Sequence, residues 1–230
     1  MPIHVFVDEI KSRGFLMAAA RCSAGDVGVN RKALRSLLLP GQERLHFRTE
    51  SNQRRKKILQ VVTDFRLLVD LYPVGVNSHE ARRRCLDAIV RDTATSAERL
   101  VIERDDSTYE HDRRCLREAA RRFGCHDTLR WDVLAAKSDP LLWIPDAVAW
   151  SWVRGGEWKK SVAAFCQVKV PWQRETRLVH RPEGCRVHFR GTRVPRQDNC
   201  SPGIRRSGRI LVSAPGCPGM PRSGGCGLWG

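Results

Sequence analysis

Three acidic residues of this sequence follow or interrupt segments that are otherwise apolar. Asp8 follows the segment HVFV, Glu103 follows LVI, and Asp146 lies inside LLWIPDAVAW. A carboxylate in such surroundings is costly to desolvate unless it meets a cation. The residue types therefore predict that Asp8, Glu103 and Asp146 share a divalent metal site.

The chemistry expected of these carboxylates follows from their mutual repulsion. If they lie within about 5 Å of one another, each pair repels by roughly 3 kcal/mol at an effective dielectric constant near 20. Hard oxygen ligands suit Mg²⁺ or Mn²⁺, and either ion would offset that repulsion. A cluster with one or two such ions is typical of phosphodiester hydrolysis, because one ion activates water and the other stabilises the leaving oxygen.

Each acidic residue also has a structural interpretation, which the sequence leaves open. Asp8 could cap a turn, and Asp146 could pair with an arginine of another helix. Glu103 could pair with Arg99 or Arg104. Asp146 is the most informative of the three, since its neighbours three and four positions away on a helix are all apolar. These neighbours are Leu142, Trp143, Ala149 and Trp150.

The elements that must position these residues follow from apolar periodicity and from turn and capping residues. Seven short apolar or alternating segments are expected to form strands: 2–7, 14–22, 44–48, 66–74, 99–103, 128–134 and 162–170. Five segments are expected to form helices: 30–39, 52–65, 79–91, 111–123 and one from 139 to about 153. Because Pro145 lies inside the last of these, that helix either bends there or begins later than Pro140. Strands that come first and then alternate with helices predict an α/β domain with a mixed sheet.

Length and composition bound the class of protein. The 230 residues are 41% hydrophobic, which suits one domain of ordinary size or two small ones. No apolar run approaches the length of a membrane span, and charged residues from Asp8 to Lys11 interrupt the segment where a signal peptide needs an apolar stretch. We therefore expect a cytoplasmic protein with no membrane partner. The nine cysteines fit no zinc spacing and are interpreted as free thiols.

The net charge of +16 favours a polyanionic partner, and nucleic acid is the obvious class. Basic residues group on three of the predicted helices, at 54–57, 82–84 and 113–122, where they either contact phosphates or form solvated faces. The sequence contains neither a Gly-x-x-x-x-Gly-Lys phosphate loop nor a Gly-x-Ser-x-Gly elbow. ATP hydrolysis and serine esterase activity therefore have no support.

The composition changes near the carboxyl-terminal end of the chain. Ten of the 18 glycines and six of the 12 prolines fall in residues 181–230. Such a segment cannot bury enough apolar surface to offset chain entropy. We therefore predict a domain over residues 1–175 and a disordered tail rich in Gly, Pro and Arg over 176–230. The tail is either a basic arm for nucleic acid or an extension without function.

Two motifs, Phe6-Val7-Asp8-Glu9 and Leu45-His46-Phe47, together with the segment 142–149, resemble a widespread bacterial domain family. Its members open with a Tyr-Ile-Asp-Glu-Ser-Gly-like motif and end with a Leu-Gln-x-Ala-Asp-like helix. The resemblance covers about residues 3–170, and the segment 141–158 is similar to an actinobacterial branch. It implies a ribonuclease H-like fold and a metal-dependent nuclease activity with Asp8, Glu103 and Asp146 as metal ligands.

The chain also departs from this family's pattern. Ile10-Lys11 replaces the Ser-Gly of the first motif, which affects the shape of the first turn but leaves the acidic residues in place. Ribonuclease H-like sites often have a fourth carboxylate. Glu50 is the candidate here, with Glu9 and Asp112 as rivals, although Glu50 could instead cap the helix that follows it.

Together these features predict a nuclease that hydrolyses the phosphodiester bonds of DNA or RNA with Mg²⁺ or Mn²⁺. Water would be the nucleophile, and basic helices would hold the substrate backbone. The alternative is a non-catalytic nucleic-acid-binding or scaffold protein on the same fold, in which the acidic residues serve structure.

Overall fold

The computed structural model describes residues 2–12 and 14–171, which contain six strands and six α-helices. The strands are β1 (Ile3–Ile10), β2 (Phe15–Ser23), β3 (Leu68–Val74), β4 (Ala97–Glu103), β5 (Arg130–Leu134) and β6 (Cys166–Val168). The helices are α1 (Val27–Arg35), α2 (Asn52–Asp64), α3 (His79–Thr93), α4 (Tyr109–Arg122), α5 (Trp143–Arg154) and α6 (Gly156–Ala163). The boundary predicted at residue 175 and the predicted tail lie outside the described residues.

All six strands belong to one sheet in the order β5-β4-β1-β2-β3-β6. β1, β2 and β3 form an antiparallel meander, which begins with a hairpin of β1 and β2. β4 and β5 add to it parallel to β1, and β6 pairs parallel with β3. The sheet is therefore mixed, with an antiparallel meander extended by parallel strands on both sides. The predicted α/β class and the mixed sheet flanked by helices are therefore confirmed.

Helices cover both faces of the sheet, and the alternation of β1 shows how its residues divide between them. Val5 and Val7 pack with the apolar sides of α3 and α4, whereas Phe6 packs in the second core with α1, α2, α5 and α6. Since neighbouring strand residues point to opposite faces, each acidic residue at a strand end is assigned to one of these two cores by its position in the sequence.

Several helix ends form where the sequence indicates. The hydroxyls of Ser51 and Ser78 accept backbone N–H groups from Arg54 and Ala81 and so cap α2 and α3. Asp139 caps a short 3₁₀ turn, and α5 begins only at Trp143. Pro145 therefore falls in the first turn of α5, where its missing N–H removes no helical hydrogen bond.

The strand expected over residues 44–48 is wrong. The chain there forms a 3₁₀ turn over Phe47–Thr49. Its backbone groups bond to side chains and not to a neighbouring strand: the N–H of Phe47 donates to Asp146, and Arg55 donates to the carbonyls of Phe47 and Arg48. These bonds fix the turn against α5.

Two of the boundaries that differ from the prediction concern buried side chains. α1 begins at Val27, so Asn30 lies within the helix, where it is buried and its amide donates to the thiol of Cys22. The last strand begins at Cys166, because Val162 belongs to the apolar side of α6. Both errors have the same cause: the partners of Asn30 and Val162 lie elsewhere in the sequence, so the local pattern does not assign these residues to their elements.

Two compositional predictions can be compared with the described residues. The five cysteines there are free thiols, four of them buried: Cys22, Cys85, Cys115, Cys125 and the half-buried Cys166. No helix in this part of the chain has the length and apolar character needed to cross a bilayer.

Candidate active site

The topology brings the three predicted carboxylates to one corner of the sheet. β1 and β4 pair in parallel with Val7 opposite Ile102, so Asp8 and Glu103 occupy the next positions of the two strands. Strand alternation turns both onto the face covered by α5. Asp146 lies in the first turn of α5, which packs directly on β1. We call Asp8, Glu103 and Asp146 the carboxylate trio.

The members of the carboxylate trio disfavour one another's ionisation. Burial raises the pKa of Asp8 well above its ordinary value, and the charges of Glu103 and Asp146 raise it further. Burial and the charge of Asp146 raise the pKa of Glu103 to about 7. Burial also raises the pKa of Asp146. Raised pKa values are expected of carboxylates whose charges are not fully compensated in a poorly solvated site.

Each member of the trio also has a local partner. Oδ1 of Asp8 accepts the N–H of Glu9 at 2.7 Å, and Oδ2 of Asp146 accepts the N–H of Phe47 at 3.0 Å. Glu103 pairs with Arg44 at 3.2 Å. The sequence had suggested Arg99 or Arg104 for that pair, but these two arginines pair with Asp132 and Asp106.

The chemistry of the donor set suits a hard divalent cation, although the side chains are not preorganised for one. Among residues 2–12 and 14–171, no three His, Cys, Asp or Glu side chains stand in an arrangement that could hold a metal ion. The trio nevertheless supplies carboxylate oxygens with raised pKa values, and Arg44 is half-exposed. Such oxygens are the ligands that Mg²⁺ and Mn²⁺ prefer.

Glu50, the predicted fourth carboxylate, is not brought to the trio. Its oxygens accept from Nε of Arg54 at 2.6 Å and from the amide of Gln42 at 3.1 Å. It does not cap α2 either, since Ser51 does. Of its two rivals, Glu9 is the neighbour that raises the pKa of both Asp8 and Glu103. Its Oε2 atom is buried and has no hydrogen-bond partner in the described part of the chain.

The other rival, Asp112, belongs to a buried ion-pair network on the opposite face of the sheet. Nε and Nη2 of Arg82 bind its two oxygens at 2.5 and 2.7 Å. Nη1 of Arg82 lies 2.7 Å from Oε1 of Glu9, which links the network to β1. Lys11 lies 3.4 Å from the same oxygen and bonds to Asp105.

The buried role of Arg82 differs from the prediction, which placed this residue in a basic group with two interpretations, phosphate contact or a solvated face. The side chain is only 2% exposed. The signal was present in its position, because residue 82 lies three, four and seven positions before the buried Cys85, Leu86 and Ile89. A charged residue on the apolar stripe of a helix requires a buried partner of opposite charge.

Two depressions adjoin the trio. The first, of about 400 Å³, is lined by Asp8, Glu9, Glu103, Arg104, Asp105 and Asp106, and we call it the acidic cleft. The second, of about 600 Å³, includes Asp146 and Glu9 in its wall. Four residues with basic side chains line it as well, and we call it the basic groove: Lys11, His46, Arg48 and Arg154.

Trp150 forms part of the wall of the basic groove and is held rigidly. The guanidinium of Arg55 lies over its ring at 4.5 Å, and Phe47 packs edge-on with ring centroids 5.3 Å apart. The ring is half-buried, so it serves packing and groove shape together.

Comparisons with known proteins give a distant structural similarity. A scan against protein-family models found no match, and a search of curated proteins found none. Among solved structures, the chain is similar to ribonuclease HII from Archaeoglobus fulgidus in a complex with PCNA, with a TM-score of 0.46 and 16% identity. The match covers 70% of this chain and 76% of that chain. The resemblance to the bacterial family and its actinobacterial branch therefore stays a prediction from motifs.

Proposed function

We propose that this protein hydrolyses phosphodiester bonds in DNA or RNA and that Asp8, Glu103 and Asp146 bind Mg²⁺ or Mn²⁺. The observation that carries the proposal is the carboxylate trio itself, with its raised pKa values, at one corner of the sheet. Clustered carboxylates with perturbed pKa values in a cleft are typical of functional sites. The site's position at the carboxyl ends of β1 and β4 supports the same conclusion.

The protein's own backbone would orient two of the proposed metal ligands. The N–H of Phe47 fixes one oxygen of Asp146, and the N–H of Glu9 fixes one oxygen of Asp8, so two of the three ligands start from defined orientations. Glu103 would be released from Arg44 to join them. When bound, a divalent ion supplies Lewis-acid activation of water and charge stabilisation at the leaving oxygen.

The basic groove would hold the substrate. Four basic side chains line it beside Asp146, and contacts of this kind bind the phosphate backbone without regard to sequence. Because the groove and the acidic cleft share Glu9, a strand lying in the groove would pass directly beside the trio.

A metal titration combined with a cleavage assay tests the proposal. Labelled DNA and RNA oligonucleotides are incubated with wild type, Asp8→Asn and Asp146→Asn at several Mn²⁺ and Mg²⁺ concentrations. We expect metal-dependent cleavage by wild type and at least a roughly hundredfold loss in both variants, as for removal of an electrostatic catalytic group. Mn²⁺ should also raise the Tm of wild type but not of Asp8→Asn.

The matched control is Asp132→Asn, which removes a strand carboxylate that is 43% exposed and paired with Arg99. It should keep both the cleavage activity and the metal-dependent rise in Tm. Cleavage that survives undiminished in Asp8→Asn would contradict the assignment of Asp8 as a metal ligand. Its absence in wild type, together with a Tm that no metal changes, would refute the proposal.

A second candidate, a nucleic-acid-binding protein without catalysis, is favoured by two observations. Glu103 is already paired with Arg44, and the described residues contain no preorganised metal centre. In that case wild type and Asp8→Asn would bind an oligonucleotide with the same affinity, with and without Mn²⁺, and neither would cleave it.

A further inference from the structure

The basic groove follows one side of α5 away from a member of the carboxylate trio. Asp146, Trp150 and Arg154 are spaced four residues apart on this helix, and all three line the groove. Residues with this spacing share one side of a helix, so Trp150 is about 6 Å and Arg154 about 12 Å from Asp146 along the helix axis. The groove therefore extends from Asp146 along α5 for about two turns.

The wall of the basic groove combines an apolar part with cations. Ile10, Trp150 and Val153 supply the apolar part, and each of them is half-buried. Arg48 and Arg154 are exposed, and neither side chain pairs with a carboxylate among the described residues. A ligand that complements this wall must present apolar surface and negative charge together.

We propose that the basic groove binds an unpaired strand of nucleic acid and that a base of this strand packs against the ring of Trp150. The inference rests on the proposed function and deepens it, since it names a single strand as the form of the substrate. An unpaired strand offers both the apolar faces of its bases and its phosphates. In a duplex the base faces are stacked on one another, so a duplex would leave the apolar part of the wall uncovered.

Trp150 is suited to this contact because its ring is fixed before a ligand arrives. The guanidinium of Arg55 lies 4.5 Å from the ring centroid, and Phe47 and Trp158 pack edge-on with centroid separations of 5.3 and 5.5 Å. A ring held in this way loses little conformational freedom when a base packs against it. Because the residue is half-buried and lines the groove, part of its surface is left for a ligand.

The two unpaired arginines would contact the phosphates of the strand. Arg48 belongs to the 3₁₀ turn that is bonded to Asp146, and Arg154 belongs to the last turn of α5. Contacts of this kind hold the backbone of any sequence, whereas the contact with Trp150 requires an unpaired base. Lys11 also lines the groove, but it already forms ion pairs and is not among the proposed contacts.

The first experiment varies the nucleic acid and leaves the protein unchanged. Binding is measured by fluorescence anisotropy in EDTA, so that metal-dependent cleavage does not occur. A short labelled DNA strand, the RNA strand of the same sequence and the DNA duplex are compared with an abasic strand, which keeps every phosphate and lacks every base. Wild type should bind the DNA and RNA single strands about tenfold more tightly than the duplex and the abasic strand.

The second experiment removes the aromatic ring. Trp150→Leu keeps an apolar side chain at this position and should bind the normal strand about tenfold more weakly than wild type, with no change for the abasic strand. Trp152→Leu is the matched control, since Trp152 lies on the same helix and its ring is also contacted by a cation, Lys159 at 4.2 Å. Trp152 is not part of the groove wall, so its replacement should leave both affinities unchanged.

Arg154→Gln tests the phosphate contacts. It should weaken the binding of the normal and abasic strands by the same factor, about three- to tenfold, and lower the salt dependence by about one counterion. The matched control is Arg130→Gln, which replaces an exposed arginine at the first residue of β5, at the other end of the sheet from Glu103. It should change neither quantity.

Equal affinities of wild type for the single strand and the duplex, or for the normal and abasic strands, would overturn the inference. Equal weakening in Trp150→Leu and Trp152→Leu would do the same. Displacement of the strand by polyglutamate as readily as by an unlabelled strand would assign the groove to polyanions in general and also refute the inference.

The outcomes for binding and for cleavage are independent. If wild type cleaves with metal and Asp8→Asn does not, a failure of these binding experiments refutes the single-strand site and leaves the proposed hydrolysis standing. Preference for the unpaired strand in a protein that never cleaves it would refute the hydrolysis and leave the binding site standing.

Discussion

Two consecutive residues at the end of β1 occupy opposite electrostatic environments. Asp8 turns toward α5, where it meets two further carboxylates and no ion-pair partner within the described residues. Glu9 turns toward α3 and α4, where it meets Arg82 and Lys11. Both side chains are largely buried, so burial does not distinguish them. The presence or absence of a cation does.

The difference separates a structural use of buried charge from a functional one. Asp112, Arg82 and Glu9 form a set in which every charge has an opposite partner, as expected of groups that hold a fold together. In the trio, burial and then repulsion raise the pKa of Asp8 and Glu103, and only Glu103 has an ion pair among the described residues. Folding keeps that repulsion, which points to a ligand that relieves it.

The largest expected effect comes from removing a carboxylate of the buried network that Asp112 forms with Arg82 and Glu9. Asp112→Ala leaves the guanidinium of Arg82 buried without its bidentate partner, and we expect the free energy of unfolding to fall by about 3–5 kcal/mol. Urea denaturation measures the change. Asp132→Ala, which removes a surface carboxylate paired with Arg99, should lower stability by no more than about 1 kcal/mol. Equal losses in the two variants would show that the buried network has no special role.

The opposite result, an increase in stability, is expected for a substitution in the carboxylate trio. In metal-free buffer at neutral pH, Asp8→Asn should raise the free energy of unfolding by an amount on the order of 1 kcal/mol, because it removes a buried charge and its repulsion. The asparagine oxygen can still accept the N–H of Glu9. The same denaturation assay applies. A loss comparable to that of Asp112→Ala would mean that the trio is structural.

The residues in these two predictions show which parts of the fold and of the candidate site could be predicted from the sequence. Alternation and capping residues identified the sheet, most helices and the strand ends that carry Asp8 and Glu103. They could not assign Arg44 or Arg82 to their partners, because an ion pair between residues 59 or 30 positions apart depends on packing and not on local pattern. Glu50 was misplaced for a related reason: the turn that precedes it was predicted as a strand, and its side chain pairs with the nearby Arg54.

The pH dependence of stability sharpens the comparison further. Glu103 has a pKa of about 7 in the folded protein against an ordinary value of 4.5, so the folded state binds more protons between these values. Stability from this group is therefore present below pH 4.5 and is lost as the pH rises through 7. We expect the free energy of unfolding of metal-free wild type, relative to Glu103→Gln, to fall by about 1–3 kcal/mol from pH 4.5 to 8.

Measuring that difference by denaturation at each pH removes the contribution of groups that do not interact with Glu103. His4 and His111 have lowered pKa values, which would make stability rise with pH over part of the same range. Their effect is the same in both proteins and cancels. A difference that stays constant with pH would show that Glu103 is not perturbed.

The smallest expected effect concerns Arg44, the cation that pairs with Glu103 of the carboxylate trio. Its side chain is 41% exposed, and exposed ion pairs contribute about 0.2–1 kcal/mol, so Arg44→Gln should leave the stability of the metal-free protein nearly unchanged.

If Arg44 holds Glu103 in place of a metal, however, its removal frees a ligand and a positive charge is lost from the site. The Mn²⁺ concentration that gives half of the rise in Tm should then fall about 1.4- to fivefold at pH 8, which corresponds to that range of energies. Arg99→Gln, which breaks the pair with Asp132 on the same sheet, should leave the Mn²⁺ midpoint unchanged. A midpoint that rises or stays the same in Arg44→Gln would assign the Arg44–Glu103 pair to the structural class of Arg82 and Asp112.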